Sequence, residues 1–418
     1  MRKLNLRNRN EYLMSTSIMT RSYYTTPVFV VVTIFTLFII VKLHNTQDYI
    51  YSLQESTLQK NSYHVFELTQ KIKSIKLNRS TGHIQTPESV RAIYISSWVA
   101  GTPSLRNKLI SFIDSSAVNS VIIDIKDSTG IISFRIDDDP LIDKYGTTSS
   151  RISNIEELIK ELHNKNIYVI GRLTTFQDPA LAKKHPHLSF SRLDNGFTWT
   201  DKKGLAFINP KEKEAWDYII RLAETSYEVG FDEINFDYIR YPSDGNIGNI
   251  NYNISANHSR QSTLKSFYEH LDYELRKEKK IPISADIFGL VTTADTDFGI
   301  GQVFEDIIPY FDAIAPMVYP SHYSPGFFGH KNPNAYPYNV ITQSMQSAID
   351  RAHAIGEDPQ KLRPWIQDFN LGTPSYGTLE VEAQIQATYD LSLDSYMSWD
   401  PRNRYTQDAY HKKPSYEY

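Results

Sequence analysis

Residues 230–242 read G-F-D-E-I-N-F-D-Y-I-R-Y-P, and the rest of the chain is organised around them. Apolar residues and carboxylates are interspersed in a run that glycine and proline bound, which predicts a buried strand rather than a helix. A carboxylate in a buried strand needs a partner, because losing its hydration is costly. Asp237 stands at the predicted strand end, three residues before Arg240. The two side chains indicate either a structural ion pair or a functional site.

Seven further apolar runs follow the same pattern, at residues 92–98, 120–125, 167–173, 283–288, 313–319, 363–369 and 395–399. Amphipathic patterns at residues 155–163, 212–229 and 264–277 predict three of the helices between them. Eight strands that alternate with helices predict a (β/α)8 TIM barrel. A doubly wound open sheet is the alternative. Residues 98–103, W-V-A-G-T-P, lack the glycine-rich phosphate turn that such a sheet would normally carry after its first strand.

Composition narrows the possible functions. The chain has 418 residues, a formal net charge of −4 and no cysteine. A charge this close to balance gives no large basic surface, so nucleic acid is not an expected partner. The absence of cysteine excludes disulfides, thiolate nucleophiles and cysteine-ligated zinc. Aromatic residues make up 13% of the chain, which suits a protein that stacks rings against sugars.

The N-terminal part of the chain predicts a membrane anchor. Residues 1–22 are basic, with Glu11 as their single acid, and residues 23–41 carry no charge. At ~1.5 Å per residue this run just spans a hydrocarbon core of ~30 Å. The basic flank favours a cytoplasmic N-terminus. The alternative is a cleaved signal peptide, but residues 42–46 offer no small-residue cleavage site.

We therefore expect five segments in a protein of the cell membrane whose barrel lies outside the cytoplasm. They are a cytoplasmic tail at 1–22, a transmembrane signal anchor at 23–43, a stalk at 44–87, the barrel at 88–410 and a C-terminal tail at 411–418.

Polar and aromatic side chains stand at the ends of the predicted strands, and in a barrel these ends surround one mouth. Glycosidic bond cleavage requires two carboxylates: one protonates the leaving oxygen, and the other attacks C1 or activates water. Aromatic faces meanwhile bind sugar rings. The strand ends therefore predict a carbohydrate-cleaving site. The predicted substrate-binding residues are Asp124, Asp127, Arg172, Arg240, Tyr319, Trp365, Gln367, Asp368 and Trp399.

At these strand ends the chain resembles the putative glycosyl hydrolase domain family of bacterial, often membrane-anchored proteins. The resemblance extends over residues 91–405 and implies a TIM barrel with a carbohydrate-cleaving activity. It rests on G-F-D-E-I-N-F-D-Y-I-R-Y-P-S-D-G (230–245), S-A-D-I-F-G (284–289), G-I-G-Q (299–302), A-P-M-V-Y-P-S-H-Y (315–323) and R-P-W-I-Q-D-F (363–369).

The fourth strand is also similar to that of chitinase-type barrels, which ends D-x-x-D-x-D-x-E. Asp232, Asn235 and Asp237 match this pattern, but Ile239 stands where the catalytic Glu would be. The chitinase mechanism therefore does not transfer. The eighth strand carries Asp400 where the family more often has Asn.

Asp237 and Asp286 are the predicted catalytic pair, by analogy with amylase-like barrels, in which the fourth strand supplies the nucleophile and the fifth the acid. Arg172 and Arg240 are expected to keep a carboxylate ionised. No metal and no other cofactor is expected, because the histidines at 185 and 187 have a spacing that suits no common zinc triad.

Three functions remain open at this stage. The first is a membrane-anchored glycoside hydrolase or transglycosidase that acts on an envelope or extracellular polysaccharide. The second is a barrel that binds glycan without cleaving it, which the missing chitinase Glu favours. The third is a metal-dependent deacetylase, which the histidine placement disfavours. The predicted partners are a carbohydrate and, through residues 23–43, the membrane.

Overall fold

Eight parallel strands form a closed barrel in the structure, a computed structural model that describes residues 82–252 and 259–411. Each strand pairs with its neighbours in chain order, and the last pairs with the first, with Arg91 opposite Tyr396. All eight predicted strands are present, so the barrel is confirmed and the open sheet was the wrong alternative. The strands are β1 (Arg91–Ile95), β2 (Ser120–Lys126), β3 (Tyr168–Thr174), β4 (Glu233–Asp237), β5 (Ile283–Phe288), β6 (Ala313–Met317), β7 (Trp365–Gln367) and β8 (Tyr396–Trp399).

Helices cover the outside of the barrel. They are α1 (Ser97–Ala100), α2 (Pro103–Ser115), α3 (Pro140–Tyr145), α4 (Ile155–His163), α5 (Pro179–Lys184), α6 (Lys213–Glu228), α7 (Arg260–Leu271), α8 (Phe304–Ile307), α9 (Pro337–Ala354) and α10 (Thr378–Asp390). A short antiparallel ribbon pairs Ser191–Arg192 with Ile250–Asn251.

The three helices predicted from their amphipathic pattern are all present. Helix α4 has the predicted bounds, because Asn154 caps its first turn by accepting a hydrogen bond from the Glu157 N–H group. Helix α6 is one residue shorter at each end than predicted. Helix α7 begins four residues early, at Arg260, and the chain continues as a π-helix at Asp272–Glu278.

The alternation along β4 divides its side chains between two environments. Ile234 and Phe236 point outward into the large apolar core beneath the helices. Glu233, Asn235 and Asp237 point into the barrel and are all buried. Successive inward residues of β4 therefore form polar levels that rise to the mouth of the barrel.

The lowest of these levels is an ion pair. Arg363 Nη1 donates to Glu233 Oε1 at 2.8 Å, and the Ser284 hydroxyl donates to the same oxygen at 2.6 Å. Tyr168 donates to Glu233 Oε2 at 3.1 Å. The buried charge thus has the partners that burial requires.

Residues 82–86, which the sequence assigns to the end of the stalk, contact the barrel. The Ile84 N–H group donates to Asp232 Oδ1 at 2.8 Å, and the His83 ring stacks on Tyr227 with 3.9 Å between ring centroids. His163 also hydrogen-bonds Asp232 at 2.9 Å. Asp232 therefore joins the incoming chain to the barrel at the start of β4.

The predicted tail at 1–22, the anchor at 23–43 and most of the stalk lie outside the described residues, as do residues 412–418. Within 82–252 and 259–411, no helix combines the length and the apolar character needed to cross a membrane.

Candidate active site

A cavity of about 400 Å³ opens at the C-terminal ends of the barrel strands. Seven of the predicted site residues line it, namely Arg172, Asp237, Arg240, Asp286, Tyr319, Trp365 and Trp399. The rest of its wall consists of residues that were not predicted as site residues: Tyr238, Phe288, Gly289, Leu290, Met317, His322 and Tyr323. Several of these directly follow a strand end, which is the signal that could have identified them.

Asp237, at the end of β4, is bound by Arg172 from β3. Arg172 Nε donates to Asp237 Oδ2 at 3.1 Å, and Arg172 Nη2 contacts the same oxygen. The Tyr238 N–H group donates to the other oxygen at 2.6 Å. Burial alone would lower the pKa of Arg172, but Asp237 and Asp124 together raise it well above its usual value. A fixed positive charge therefore lies beside the Asp237 carboxylate.

Arg240 does not form the ion pair with Asp237 that was one of the two interpretations of their spacing. Arg240 Nη1 donates instead to the Tyr241 carbonyl and to the Ser243 hydroxyl, both at 3.1 Å. Proximity along the chain misled the prediction because Arg240 lies beyond the end of β4. Arg172 stands on the neighbouring strand, in register with Asn235, and its long side chain reaches up to Asp237.

Asp124 supports Arg172 from the side of β2. Arg172 Nη1 donates to Asp124 Oδ1 at 2.7 Å, and the Tyr94 hydroxyl donates to Asp124 Oδ2 at 2.6 Å. Burial raises the pKa of Asp124, while Arg172 opposes that rise. Burial also raises the pKa of Tyr94 far above its usual value, so Tyr94 remains a donor. Asp124 does not line the cavity, and Tyr94 was missed because a tyrosine in an apolar strand looks like core.

Asp286, on β5, lies in different surroundings. Its Oδ1 accepts hydrogen bonds from Trp365 Nε1 at 2.8 Å and from Asn235 Nδ2 at 3.0 Å. Its Oδ2 has no hydrogen-bond partner among the described residues. Burial, with the negative charge of Asp237 as the second cause, raises the pKa of Asp286 to about 8. With a pKa in this range, Asp286 keeps its proton at neutral pH.

The two tryptophans hold the charged groups in place. Trp399 stacks on Tyr94 with 4.0 Å between ring centroids, and the Arg172 guanidinium lies 5.2 Å from the Trp399 ring. Trp365 meets Trp399 edge to face at 5.5 Å. Tyr319 is also buried, and its pKa is raised well above the usual value by burial and by Asp286 and Asp237. Trp365 and Trp399 therefore contact Asp286 and Arg172 and line the cavity as well.

The backbone directly after Asp237 is strained. Tyr238 has a φ of +52°, which places a bulky residue in the left-handed region. Such a conformation costs ~1–3 kcal/mol and is found most often at functional sites, where the surrounding structure enforces it. The strained turn brings the Tyr238 ring to the wall of the cavity.

Four predicted substrate-binding residues do not line the cavity: Asp124, described above, and Asp127, Gln367 and Asp368. Asp127 accepts a hydrogen bond from Thr129 N–H and pairs with Arg151. Gln367 Oε1 accepts from the Ser321 N–H group and its Nε2 donates to the Phe369 carbonyl, so its side chain ties two loops together.

Asp368 binds the C-terminal segment of the barrel. It accepts hydrogen bonds from the Thr406 hydroxyl at 2.6 Å and from the Tyr410 hydroxyl at 2.8 Å. Burial raises the pKa of Asp368 to about 6. Its contacts are those of a structural residue. Within the part of the chain that the structure describes, no three His, Asp or Glu side chains converge as metal ligands would.

Known proteins resemble this chain in sequence and in fold. The model of the family described as "Putative glycosyl hydrolase domain" matches residues 92–405. No curated protein matches the chain. A hypothetical protein from Ruminiclostridium thermocellum is 30% identical over 46% of this chain and 96% of its own, with a TM-score of 0.42.

Two further solved structures are more distant in sequence. The glycoside hydrolase domain of PgaB (BpsB) from Bordetella bronchiseptica is 12% identical over 78% of this chain and 99% of its own, with a TM-score of 0.56. The GH18 chitinase ChiB from Flavobacterium johnsoniae is 13% identical over 78% and 91%, with a TM-score of 0.43. The likeness to the PgaB domain supports the barrel fold. Because the family model covers most of the chain, the protein belongs to the putative glycosyl hydrolase domain family, the class of enzyme that its sequence predicts.

Proposed function

We propose that the protein is a glycoside hydrolase or transglycosidase that uses Asp286 as the proton donor and Asp237 as the nucleophile or base. The observation that carries this proposal is that two carboxylates in opposite electrostatic surroundings line one cavity. Asp237 is bound by a guanidinium, whereas Asp286 receives only the neutral donors Trp365 and Asn235. Surroundings that separate the pKa values of two carboxyl groups in this way favour one group as the acid and the other as the base.

The contacts of Asp286 suit a proton donor. Two hydrogen bonds fix Oδ1, so the proton resides on Oδ2, the oxygen without a described partner. In the proposed step this proton moves to the glycosidic oxygen as the C1–O bond breaks and the electron pair leaves with that oxygen. The hydrogen bonds from Trp365 and Asn235 then stabilise the carboxylate that remains.

Asp237 suits the other requirement of the reaction, because its carboxylate can stabilise the positive charge that develops on the sugar ring. Its carboxylate either attacks C1 or takes a proton from water that does so. Arg172 orients Asp237 through two nitrogens and so limits the geometries that its oxygens can take. In a transglycosidase the acceptor would be a sugar hydroxyl instead of water.

The chitinase arrangement is not available in this barrel. Ile239, at the position of the chitinase Glu, is fully buried in the apolar core outside the barrel. The proton donor must therefore come from another strand. The isoleucine at this position also favours the second candidate, a barrel that binds glycan without cleaving it.

The test compares wild-type protein with Asp237→Asn and Asp286→Asn on a panel of polysaccharides, with detection of new reducing ends. Each substitution keeps the shape of the side chain and removes its chemistry, so we expect turnover to fall at least ~10²-fold. Asp127→Asn is the matched control, because Asp127 follows β2 but lies away from the cavity, and it should retain turnover. Glycan binding by a wild-type protein that releases no reducing ends would overturn the proposal in favour of the binding barrel.

A further inference from the structure

Arg240 is a buried arginine on the cavity wall with no carboxylate at ion-pair distance. Three arginines are buried among the described residues, and the other two, Arg172 and Arg363, each contact a carboxylate. Arg240 is 8% exposed and lines the cavity, but no acidic oxygen of the described residues lies within 4.0 Å of it. The difference between Arg240 and its two counterparts needs a physical reason.

The guanidinium of Arg240 is held in a fixed plane. Its Cζ lies over the rings of Tyr238 and Phe288, 4.7 and 4.6 Å from their centroids. Nη1 donates to Tyr241 and Ser243, while Nε and Nη2 make no hydrogen bond to a described residue. Contact with the two rings stabilises the cation, and the edge of the guanidinium that carries Nε and Nη2 stays available.

Burying such a cation without an ion-pair partner is costly: burial lowers the pKa of Arg240, although Asp237, Asp244 and Asp201 oppose that shift without contacting the guanidinium. None of the acids near the cavity removes this cost through direct contact. Asp237 and Asp124 are both bound by Arg172, and Asp286 is bound by Trp365 and Asn235. A planar donor fork that is fixed before binding matches the oxygens of an anion, and an anion would supply the missing charge.

We propose that the glycan bound in this cavity carries an anionic group, a carboxylate, phosphate or sulfate, which the free edge of Arg240 receives. The inference rests on the proposed function, because it names the class of substrate for the same cavity. It adds a prediction that catalysis alone does not make, namely that the charge on the glycan decides binding.

The experiment measures binding of paired glycans to the Asp286→Asn variant of the full chain, in which cleavage is blocked. The pairs are oligogalacturonides and their carboxyl-reduced forms, sulfated and plain dextran oligosaccharides, and phosphorylated and plain chito-oligosaccharides. We expect one anionic form to bind about tenfold or more tightly than its neutral partner, since a hydrogen bond to a charged group is worth that much. The favoured pair identifies which anion the cavity accepts.

Variants of Arg240 connect this preference to the cavity. Arg240→Gln should remove the difference between anionic and neutral forms, and Arg240→Lys should retain part of it. Arg402→Gln is the matched control. This substitution removes the same charge from an exposed position after β8 and should leave the preference unchanged. If Arg240→Gln does not fold, the comparison of paired glycans on the chain with Arg240 intact decides alone.

Neutral partners that bind as tightly as the anionic forms would overturn the inference. So would a preference that survives Arg240→Gln, or a panel in which no anionic form binds. Failure of this inference is distinguishable from failure of the proposed function. If wild-type protein cleaves neutral glycans without a preference for anionic ones, the hydrolase function stands and the anionic substrate is wrong. If an anionic glycan binds in an Arg240-dependent way but is never cleaved, the anionic ligand stands and the hydrolase function is wrong.

Discussion

At the residue scale, the two carboxyl groups of the cavity differ in the charge of the groups that donate hydrogen bonds to them. Arg172 lies beside Asp237, whereas Trp365 and Asn235 give Asp286 hydrogen bonds without a positive charge. Burial removes water from Asp286, and the charge of Asp237 opposes a second negative charge nearby. Their partners in space therefore support the proposed roles of the two residues, which the sequence suggests only by analogy with amylase-like barrels.

The raised pKa of Asp286 predicts how stability depends on pH. Because this pKa is about 8 in the folded protein and ~3.9 for an ordinary aspartate, the folded state binds more protons than the unfolded state between these values. The free energy of unfolding should therefore decrease as pH rises through this window, by up to ~1.4 kcal/mol per pH unit from this group. Asp286→Asn should remove that contribution and gain stability relative to wild type as pH rises.

Urea unfolding at a series of pH values from 4 to 9 would measure the effect on wild type, Asp286→Asn and Asp127→Asn. Asp127→Asn should follow the wild-type pH dependence, because Asp127 does not line the cavity. Parallel curves for wild type and Asp286→Asn would show that Asp286 has the same pKa in the folded and unfolded states. It would then be ionised at neutral pH, and another residue would have to donate the proton.

At the scale of the elements, strands and helices were predictable but contacts between strands were not. Short apolar runs between helical patterns identify all eight strands, because the strands of a closed parallel barrel are buried and must therefore be largely apolar. The partner of Asp237 depends on register, however. Arg172 lies opposite Asn235 on the adjacent strand, and no local pattern in β4 encodes that pairing. For the same reason Asp127, Gln367 and Asp368 could not be separated from the residues that line the cavity.

The segment before β1 provides a prediction at this scale. Ile84 donates to the buried Asp232, and His83 stacks on Tyr227. A hydrogen bond to a buried carboxylate and a stacked ring pair together contribute ~2–4 kcal/mol. The compact unit Asn78–Tyr418 should therefore be more stable, by about this amount, than a chain that starts at Pro87.

Urea unfolding of the two chains would measure the difference. His83→Ala in the longer chain would separate the contribution of the His83 side chain, which stacks on Tyr227 and lies 3.7 Å from Asp232, from that of the Ile84 hydrogen bond. Both chains should show the same glycan activity where they are folded, because none of these residues lines the cavity. Equal stability would mean that residues 82–86 lie on the barrel without stabilising it and act only as a spacer.

At the scale of the whole molecule, the active site is assembled from five strands. Arg172, Asp237, Asp286, Trp365 and Trp399 come from β3, β4, β5, β7 and β8 and meet only because the barrel closes. The (β/α)8 pattern predicts that strand ends converge, so the sequence could supply the candidates. It could not supply the depth of each side chain in the barrel, which decides the partners and the degree of burial.

We propose further that the protein is anchored in the cell membrane by residues 23–43, with the barrel outside the cytoplasm. The uncharged run from 23 to 41 and the basic residues before it support this orientation, since positive flanks stay in the cytoplasm. The placement would give the cavity access to an envelope or extracellular polysaccharide, and a carbohydrate is the substrate that the strand ends predict.

Protease treatment of intact cells that express the full chain would test this orientation. Because residues 82–86 are bound to the barrel, cleavage should occur between residues 44 and 81 and release a fragment that retains the whole barrel. A cytoplasmic control protein should stay intact in the same cells. Protection of the barrel in cells whose known surface proteins are cut would place it inside instead. A protein that already begins near Asn45 before protease is added would show that the apolar run is a cleaved signal peptide, because an uncleaved anchor keeps its basic tail.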